Sequence, residues 1–329
     1  MLCLHPFRYS VGAGMTLSIL LACPFPPALA ERLAPFGTVS GPLSGGTPPA
    51  TVDVLVTMGT QTTDAALMDR LPGLQLVCCY GSGYEGVDLA AARARGIMVA
   101  HSPGANAAAV ADLALALLLA AVRQIPAADR FVREGRWAGP PVTRMPPARG
   151  LTGRRVGVFG LGAIGERIAR RVAGFETEVA YHGRTRKAEA PWAYYPTLTG
   201  LAQWADVLMV AARADATNRH VVDREVLAAL GTDGIVVNIA RGSLIDEAAL
   251  IDLLQSGALG AAGLDVFERE PTVPEALRGL PNVVLAPHIG GNTLDAHAAM
   301  QAMVTANVAA FANGRAVPTP VPEMQDPLG

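Results

Sequence analysis

The chain has 329 residues, 51% of them hydrophobic and 16% charged, which is apolar material for two domains of ordinary size and excludes a disordered chain. Lys and Arg total 26 against 28 Asp and Glu, a formal balance of -2, and no long basic run tracks a phosphate backbone; this points away from nucleic acid and from membrane surfaces as partners. Four cysteines, with Cys78 and Cys79 adjacent in an apolar run, match neither a disulfide framework nor metal-ligand spacing, so buried thiols and no metal site are expected.

The first thirty or so residues imitate a secretory signal: Arg8, an apolar run from Val11 to Cys23, then Ala28-Leu29-Ala30 at a cleavage-like position. The competing reading is a first strand over Thr16 to Ala22 (TLSILLA), followed by a helix over Pro27 to Gly37 closed by its glycine. The strand is preferred, because removing it deletes an element that the rest of the pattern needs. Met15 is then the expected start, with residues 1–14 a disordered or misassigned leader.

From Thr51 onward, strand-like and helix-like runs alternate as VDVLVT, TDAALMDRLPG, LQLVCCYG and DLAAARARG. The stretch Gly104 to Val122 is long and apolar enough to suggest a membrane span, but Asn106 and Asp112 interrupt it, and a helix packed between domains is expected instead. A Pro- and Gly-rich connection, Gly139 to Gly150, follows. After Pro147 the alternation resumes through RRVGVFG, GERIARRVAGF, EVAYHGR, DVLMVAA, REVLAALG, GIVVNIA, DEAALIDLLQSG, AAGLDVF and NVVLAP, and a last helix is expected over Thr293 to Gly314. Steady alternation of this kind builds parallel sheets wrapped by helices on both faces, so the predicted class is α/β with two doubly wound sheets.

Three constellations carry chemistry. In VGVFGLGAIGERIARR, Gly160, Gly162 and Gly165 have G-x-G-x-x-G spacing at a strand-to-helix turn. The three glycines serve a tight turn, close approach of backbone to a pyrophosphate, and close packing of helix on strand. The turn Gly160, Leu161, Gly162, Ala163, Ile164, Gly165 is therefore the predicted pyrophosphate site, on the N–H groups of a helix N-terminus. About twenty residues on, where such units place an acid for a ribose 2′-OH, the chain reads VAYHGRTRK with no acid. Arg184 and Thr185, with His182 and Arg186 beside them, suit a 2′-phosphate, each charge-assisted contact contributing about 1.5 to 3 kcal/mol toward NADP over NAD.

The third constellation is spread over NIARGSLID, AGLDVFEREP and LAPHIGG, each placing polar residues just after an apolar strand, at the sheet edge where ligands sit. Arg241, Asp265, Glu270 and His288 are thus expected in one cleft. Hydride transfer to a carbonyl carbon needs a proton at the oxygen, which suits the imidazole of His288. A carboxylate beside it, Glu270, favours imidazolium, and the guanidinium fork of Arg241 suits a substrate carboxylate.

Together with GSGYEGVDLAAARARGI and HSPGANAAAVADLALALLLA, these segments make the chain similar to D-2-hydroxyacid dehydrogenases, most of all to the glyoxylate/hydroxypyruvate reductase branch, from about Met15 to the end of the last helix. The resemblance implies reduction of a 2-oxoacid to the D-2-hydroxyacid; with the basic loop at Arg184, NADP is the expected cofactor and NAD a second. It implies His288 as acid/base, Glu270 as its partner, Arg241 as substrate anchor and Asp265 at the nicotinamide end, with Ala240 and Gly290 as further cofactor-binding residues. Substrate contacts are implied at Met58, Gly59, Ser82 and Gly83. The implied architecture is a discontinuous, flavodoxin-like substrate domain, residues 15–102 and 289–315, and a Rossmann-type nucleotide domain, residues 103–288, with the active site between them. A cytoplasmic homodimer is implied as well, formed through Ala105 to Val122 and the following loop, with Trp137 reaching the partner's site. Two segments depart from the family pattern: VAARADATN replaces a Pro-Leu-Thr segment near the cofactor, and Ala105-Asn106 replaces Thr-Asp. A dinucleotide-sensing protein like the C-terminal binding corepressors shares this scaffold, and phosphoglycerate, phosphite or formate dehydrogenases are further alternatives.

Overall fold

The computed structural model describes residues 16–43, 50–215 and 217–325; the expected leader and Met15 lie outside the described residues. The described chain divides into two compact units, one running up to Asn106 and resuming at Thr293, the other spanning Ala107 to Asn292. Both are parallel sheets wrapped by helices, as the alternation predicts.

The first unit contains β1 (Leu17–Leu21), α1 (Pro27–Leu33), β2 (Gly37–Ser40), β3 (Val54–Thr57), α2 (Ala65–Asp69), β4 (Leu76–Cys79), α3 (Leu89–Ala94) and β5 (Met98–Ala100). Its sheet order is β2-β1-β3-β4-β5, the flavodoxin-like order. Every residue of β3 and β4 is buried, which is why these runs read as continuously apolar and do not alternate. Burial pushes both neighbouring thiols up, that of Cys79 to about 12, so they are inert core groups. TLSILLA is a strand lying between β2 and β3.

The helix expected to run to Gly37 is corrected here. It ends at Leu33, a short 3-10 turn covers Ala34–Phe36, and Gly37 opens β2. Glycine is needed there for another reason than a helix stop: a Cβ on Gly37 would stand 1.9 Å from the carbonyl oxygen of Leu17 on the paired strand.

The second unit opens with α4 (Ala107–Arg123) and α5 (Ile125–Arg133). Then follow β6 (Arg155–Phe159), α6 (Ala163–Ala173), β7 (Glu178–His182), β8 (Ala193–Tyr194), α7 (Leu198–Trp204), β9 (Val207–Val210) and α8 (Arg224–Ala229). It closes with β10 (Ile235–Asn238), α9 (Glu247–Ser256), β11 (Ala261–Leu264), α10 (Glu275–Gly279) and β12 (Val283–Leu285); α11 (Leu294–Ala312) then returns to the first unit. The sheet order β12-β11-β10-β9-β6-β7-β8 reverses direction at β6, the switch point beside which α/β sheets bind nucleotides. Along β9, Val207 and Met209 join the core under α4 and α6, while Leu208 and Val210 join the core under α7, α8 and α9. This period-2 division is what doubly wound means at the level of side chains.

The apolar stretch that resembles a membrane span is α4, with Val110, Ala114, Leu117 and Leu118 in the core of this second unit. Among the described residues no single helix is long and apolar enough to cross a membrane. By contrast α5 buries none of its residues, and Ile125, Val132 and, beyond it, Trp137 are exposed.

Candidate active site

Most helices here start under a side-chain cap: Asp64, Asp88, Thr197, Asp223, Asp246 and Thr293 each accept the amide three residues on. Helix α6 does not. Its N-cap is Gly162, which offers no side chain, so the first amides of α6 are left for a ligand. The three glycines meet different steric demands. Gly160 has φ +95° and lies against the next loop, where a Cβ would come 2.4 Å from the Ala212 Cα. A Cβ on Gly165 would come 1.9 Å from the Gly160 carbonyl oxygen, whereas one on Gly162 would meet nothing within 4 Å. The open side of the turn is thus the side a pyrophosphate needs, and the residues fit a dinucleotide.

At the end of β7, His182 is half-buried, its Nδ1 donating to the Tyr195 carbonyl at 2.9 Å and its ring stacked on Phe159 and Tyr194. The basic loop beyond it is closed by Tyr181, whose hydroxyl accepts the Lys187 amide at 2.8 Å. Thr185 and Arg186 are exposed, and Arg184 projects with its side chain 85% exposed.

The residue expected to be the acid/base group, His288, lies with Glu270, Asp265 and Arg241 at the ends of β10, β11 and β12. His288 has φ +53°, a left-handed conformation uncommon outside glycine. Asp265 holds it there. The His288 amide donates to the Asp265 carbonyl at 2.8 Å, and the next two amides, of Ile289 and Gly290, donate to the two carboxylate oxygens at 2.8 Å each. Gly290 is required at this close approach, since a Cβ would stand 3.0 Å from Asp265 Oδ2. Burial pushes the Asp265 carboxyl above its ordinary value, against the pull of those amides and of the His288 charge.

His288 Nδ1 lies 2.6 Å from Glu270 Oε2, and the Phe267 amide donates to Glu270 Oε1 at 3.0 Å. Burial acts to raise the Glu270 carboxyl, but the hydrogen bonds from His288 and Phe267, with the charges of His288 and Arg241, outweigh it and hold the group below its ordinary value. An ionised Glu270 accepts, so Nδ1 carries the proton toward it and Nε2 is the nitrogen left for chemistry. Arg241 begins the turn after β10, its Nη1 donating to the Ala240 carbonyl at 2.6 Å.

That turn is stapled by a residue not picked out beforehand. Asn238, 1% exposed, accepts the Ala240 amide at 3.0 Å and donates to the Arg241 carbonyl at 2.9 Å. A polar residue ending an otherwise apolar strand is the signal that marks it.

The expected substrate loops gather in the first unit. The Gly59 carbonyl accepts from the Gly86 amide at 2.8 Å, and a Cβ on Gly59 would collide with the Gly83 carbonyl, so Met58-Gly59 lies against Ser82-Gly83. His101 Nδ1 donates to the Ser82 carbonyl at 2.9 Å, and Ser82 Oγ reaches Asn106 Oδ1 at 3.0 Å. Asn106, one of the two departures from the family pattern, therefore touches a predicted substrate residue. Arg241, Asp265, Glu270 and His288 gather with the glycine turn in the other unit.

The sequence profile of the D-isomer specific 2-hydroxyacid dehydrogenase NAD-binding domain matches residues 115–290. The chain belongs to that family. As a member it is an NAD(P)-dependent oxidoreductase, and its reductase relatives favour that reading over the corepressor one. It is 42% identical to a glyoxylate/hydroxypyruvate reductase of Arabidopsis thaliana over 78% of this chain and 82% of the relative. It is also 40% identical to a hydroxyphenylpyruvate reductase of Plectranthus scutellarioides, over 78% and 82% respectively. Among solved structures, an NADPH-dependent glyoxylate/hydroxypyruvate reductase of Sinorhizobium meliloti in complex with NADP and malonate superposes with TM-score 0.88 at 38% identity, covering 94% of this chain and 98% of that one. Membership in the family accounts for the glycine turn and the His288 cluster lying in one nucleotide-binding unit.

Proposed function

We propose that this chain reduces small 2-oxoacids of the glyoxylate and hydroxypyruvate type to D-2-hydroxyacids, with NADPH as its preferred cofactor and NADH as a second. The observation that carries the reading is the 2.6 Å bond between His288 Nδ1 and Glu270 Oε2 with Arg241 close enough to bias the carboxylate. Glu270 stays ionised, fixes the Nδ1 proton and favours the imidazolium, whose second proton, on Nε2, is the one given to the substrate carbonyl oxygen. Arg241 grips the substrate carboxylate and polarises the adjacent carbonyl. Gly160 to Gly165 hold the pyrophosphate; His182, Arg184 and Thr185 hold the adenosine 2′-phosphate; Asp265, Ala240 and Gly290 hold the nicotinamide end. A nicotinamide bound in this way supplies the hydride.

Met58, Gly59, Ser82 and Gly83 have the substrate-binding role in the discontinuous unit, and the unit from Ala107 to Asn292 has the nucleotide role. The exposed apolar residues of α5 and Trp137 support a homodimer. The enzyme acts in the cytoplasm on small molecules, with neither nucleic acid nor membrane as partner. Oxidation of NADPH and of NADH followed against glyoxylate, hydroxypyruvate, pyruvate and phenylpyruvate tests the reading. Turnover of glyoxylate and hydroxypyruvate with a higher kcat/KM for NADPH is expected; turnover with NADH alone sinks the 2′-phosphate site, and no turnover of any 2-oxoacid sinks the activity.

A further inference from the structure

The end of β7 lacks the acid that a free ribose hydroxyl would use, yet an acid from another loop faces the Arg184 guanidinium. Asp215, after β9, has its Oδ2 3.9 Å from Arg184 Nη1. The loop that carries it is anchored against the glycine turn through Ala212. Asp215 is also held in place locally. Its Oδ1 accepts the Thr217 amide at 2.8 Å and the Thr217 hydroxyl at 2.5 Å. Its own amide donates to Asn218 Oδ1 at 2.9 Å, and Asn218 Nδ2 donates to the Arg213 carbonyl at 2.8 Å. One carboxylate oxygen therefore closes the turn and the other is turned toward Arg184. The Thr217 hydrogen bonds first, then the charges of Arg184 and Arg213, keep this carboxyl below its ordinary value, so it is ionised at neutral pH.

We propose that Arg184 and Asp215 form an opposed pair that sets how sharply the enzyme separates NADPH from NADH, Arg184 recognising a 2′-phosphate and Asp215 accepting from the ribose hydroxyls of NADH. This rests on the 2′-phosphate reading of Arg184. A phosphate dianion arriving beside Arg184 meets a fixed carboxylate whose repulsion cancels part of the attraction. A free ribose hydroxyl meets an acceptor that is already ordered and pays no cost for turning it. Asp215 thus moderates the NADPH preference and keeps NADH usable. It belongs to the segment VAARADATN, which departs from the family pattern at this place, so the moderation is a property of this chain's own loop.

Asp215→Asn is the discriminating variant, because an amide oxygen in place of Oδ1 still accepts from Thr217 while the charge beside Arg184 is removed. Calorimetric titration of the wild type, Asp215→Asn and Arg184→Ala with adenosine 2′,5′-bisphosphate and with adenosine 5′-monophosphate needs no turnover. Kinetic ratios for NADPH and NADH are measured alongside. Asp215→Asn is expected to bind the bisphosphate about three- to tenfold more tightly and the monophosphate no more tightly, to raise the NADPH/NADH ratio of kcat/KM by a similar factor, and to lose most of that gain in high salt. Bisphosphate binding that is unchanged or weaker in Asp215→Asn, or equal tightening toward both ligands, overturns the role of Asp215. In that case Arg184→Ala still separates the two readings. If it weakens the bisphosphate selectively, the phosphate site stands without Asp215; if it binds both ligands as the wild type does, the phosphate site and the pair fall together.

Discussion

Around His288, the imidazole, the Glu270 carboxylate and three successive amides all engage partners within 3.0 Å, whereas Arg184 is 85% exposed and the carboxylate it faces stands 3.9 Å away. Both regions belong to the same unit and both project from the carboxyl ends of parallel strands, so position on the sheet does not explain the contrast. The physics of the two proposed tasks does. A proton donor must reach one atom along one line, and an error of an ångström costs about a hundredfold. A charge that biases a phosphate acts through a field that falls slowly with distance, so an exposed and loosely tied arginine suffices.

Breaking the tightly held region should therefore cost most. His288→Ala removes the proposed proton donor and is expected to lower kcat by about a hundred- to ten-thousandfold while NADPH binding, read by titration, changes little; near-normal kcat would remove His288 from the mechanism. Next comes Asp265→Asn, which offers one acceptor oxygen to two amides that now each have their own. We expect kcat to fall about ten- to a hundredfold with a lowered Tm, as the left-handed turn at His288 loosens. A variant with unchanged kcat and Tm would show that the clamp positions nothing. The smallest effect belongs to Glu270→Gln. Because Glu270 is ionised throughout the range in which imidazole titrates, its charge helps keep a proton on the pair; glutamine cannot, and the proton is lost at lower pH. The alkaline limb of the pH profile for reduction should move toward acid by about one unit, with kcat near its optimum down about tenfold; an unmoved profile would reduce Glu270 to a packing role.

The same contrast explains what could be read beforehand. The glycine turn was legible because strand, turn and helix are contiguous in sequence, and Gly160, Gly162 and Gly165 each answer a local steric demand. His288, Glu270 and Arg241 were legible because each follows an apolar strand directly. Asn238 and Asp215 were missed as site residues because their value lies in what they touch: Asn238 bridges a turn that the strand pattern does not record, and Asp215 meets Arg184 only when the loops after β7 and β9 are brought side by side. In the fold, β2, β8 and α7 escaped the reading since each is short and half of its signal is polar. Gly37 is ambiguous in sequence, because a glycine serving strand contact and a glycine ending a helix are the same letter.

Tyr181 also sets the reach of the basic loop. Its buried hydroxyl ties off the chain six residues later, at Lys187, so the segment that leaves the end of β7 is pinned again at a fixed point. Gly183 to Arg186 thereby form an exchangeable cassette whose span is set from underneath while its chemistry is open. Grafting an acidic tetrapeptide between those two anchor points would recast the nucleotide choice of this enzyme with the strand beneath undisturbed.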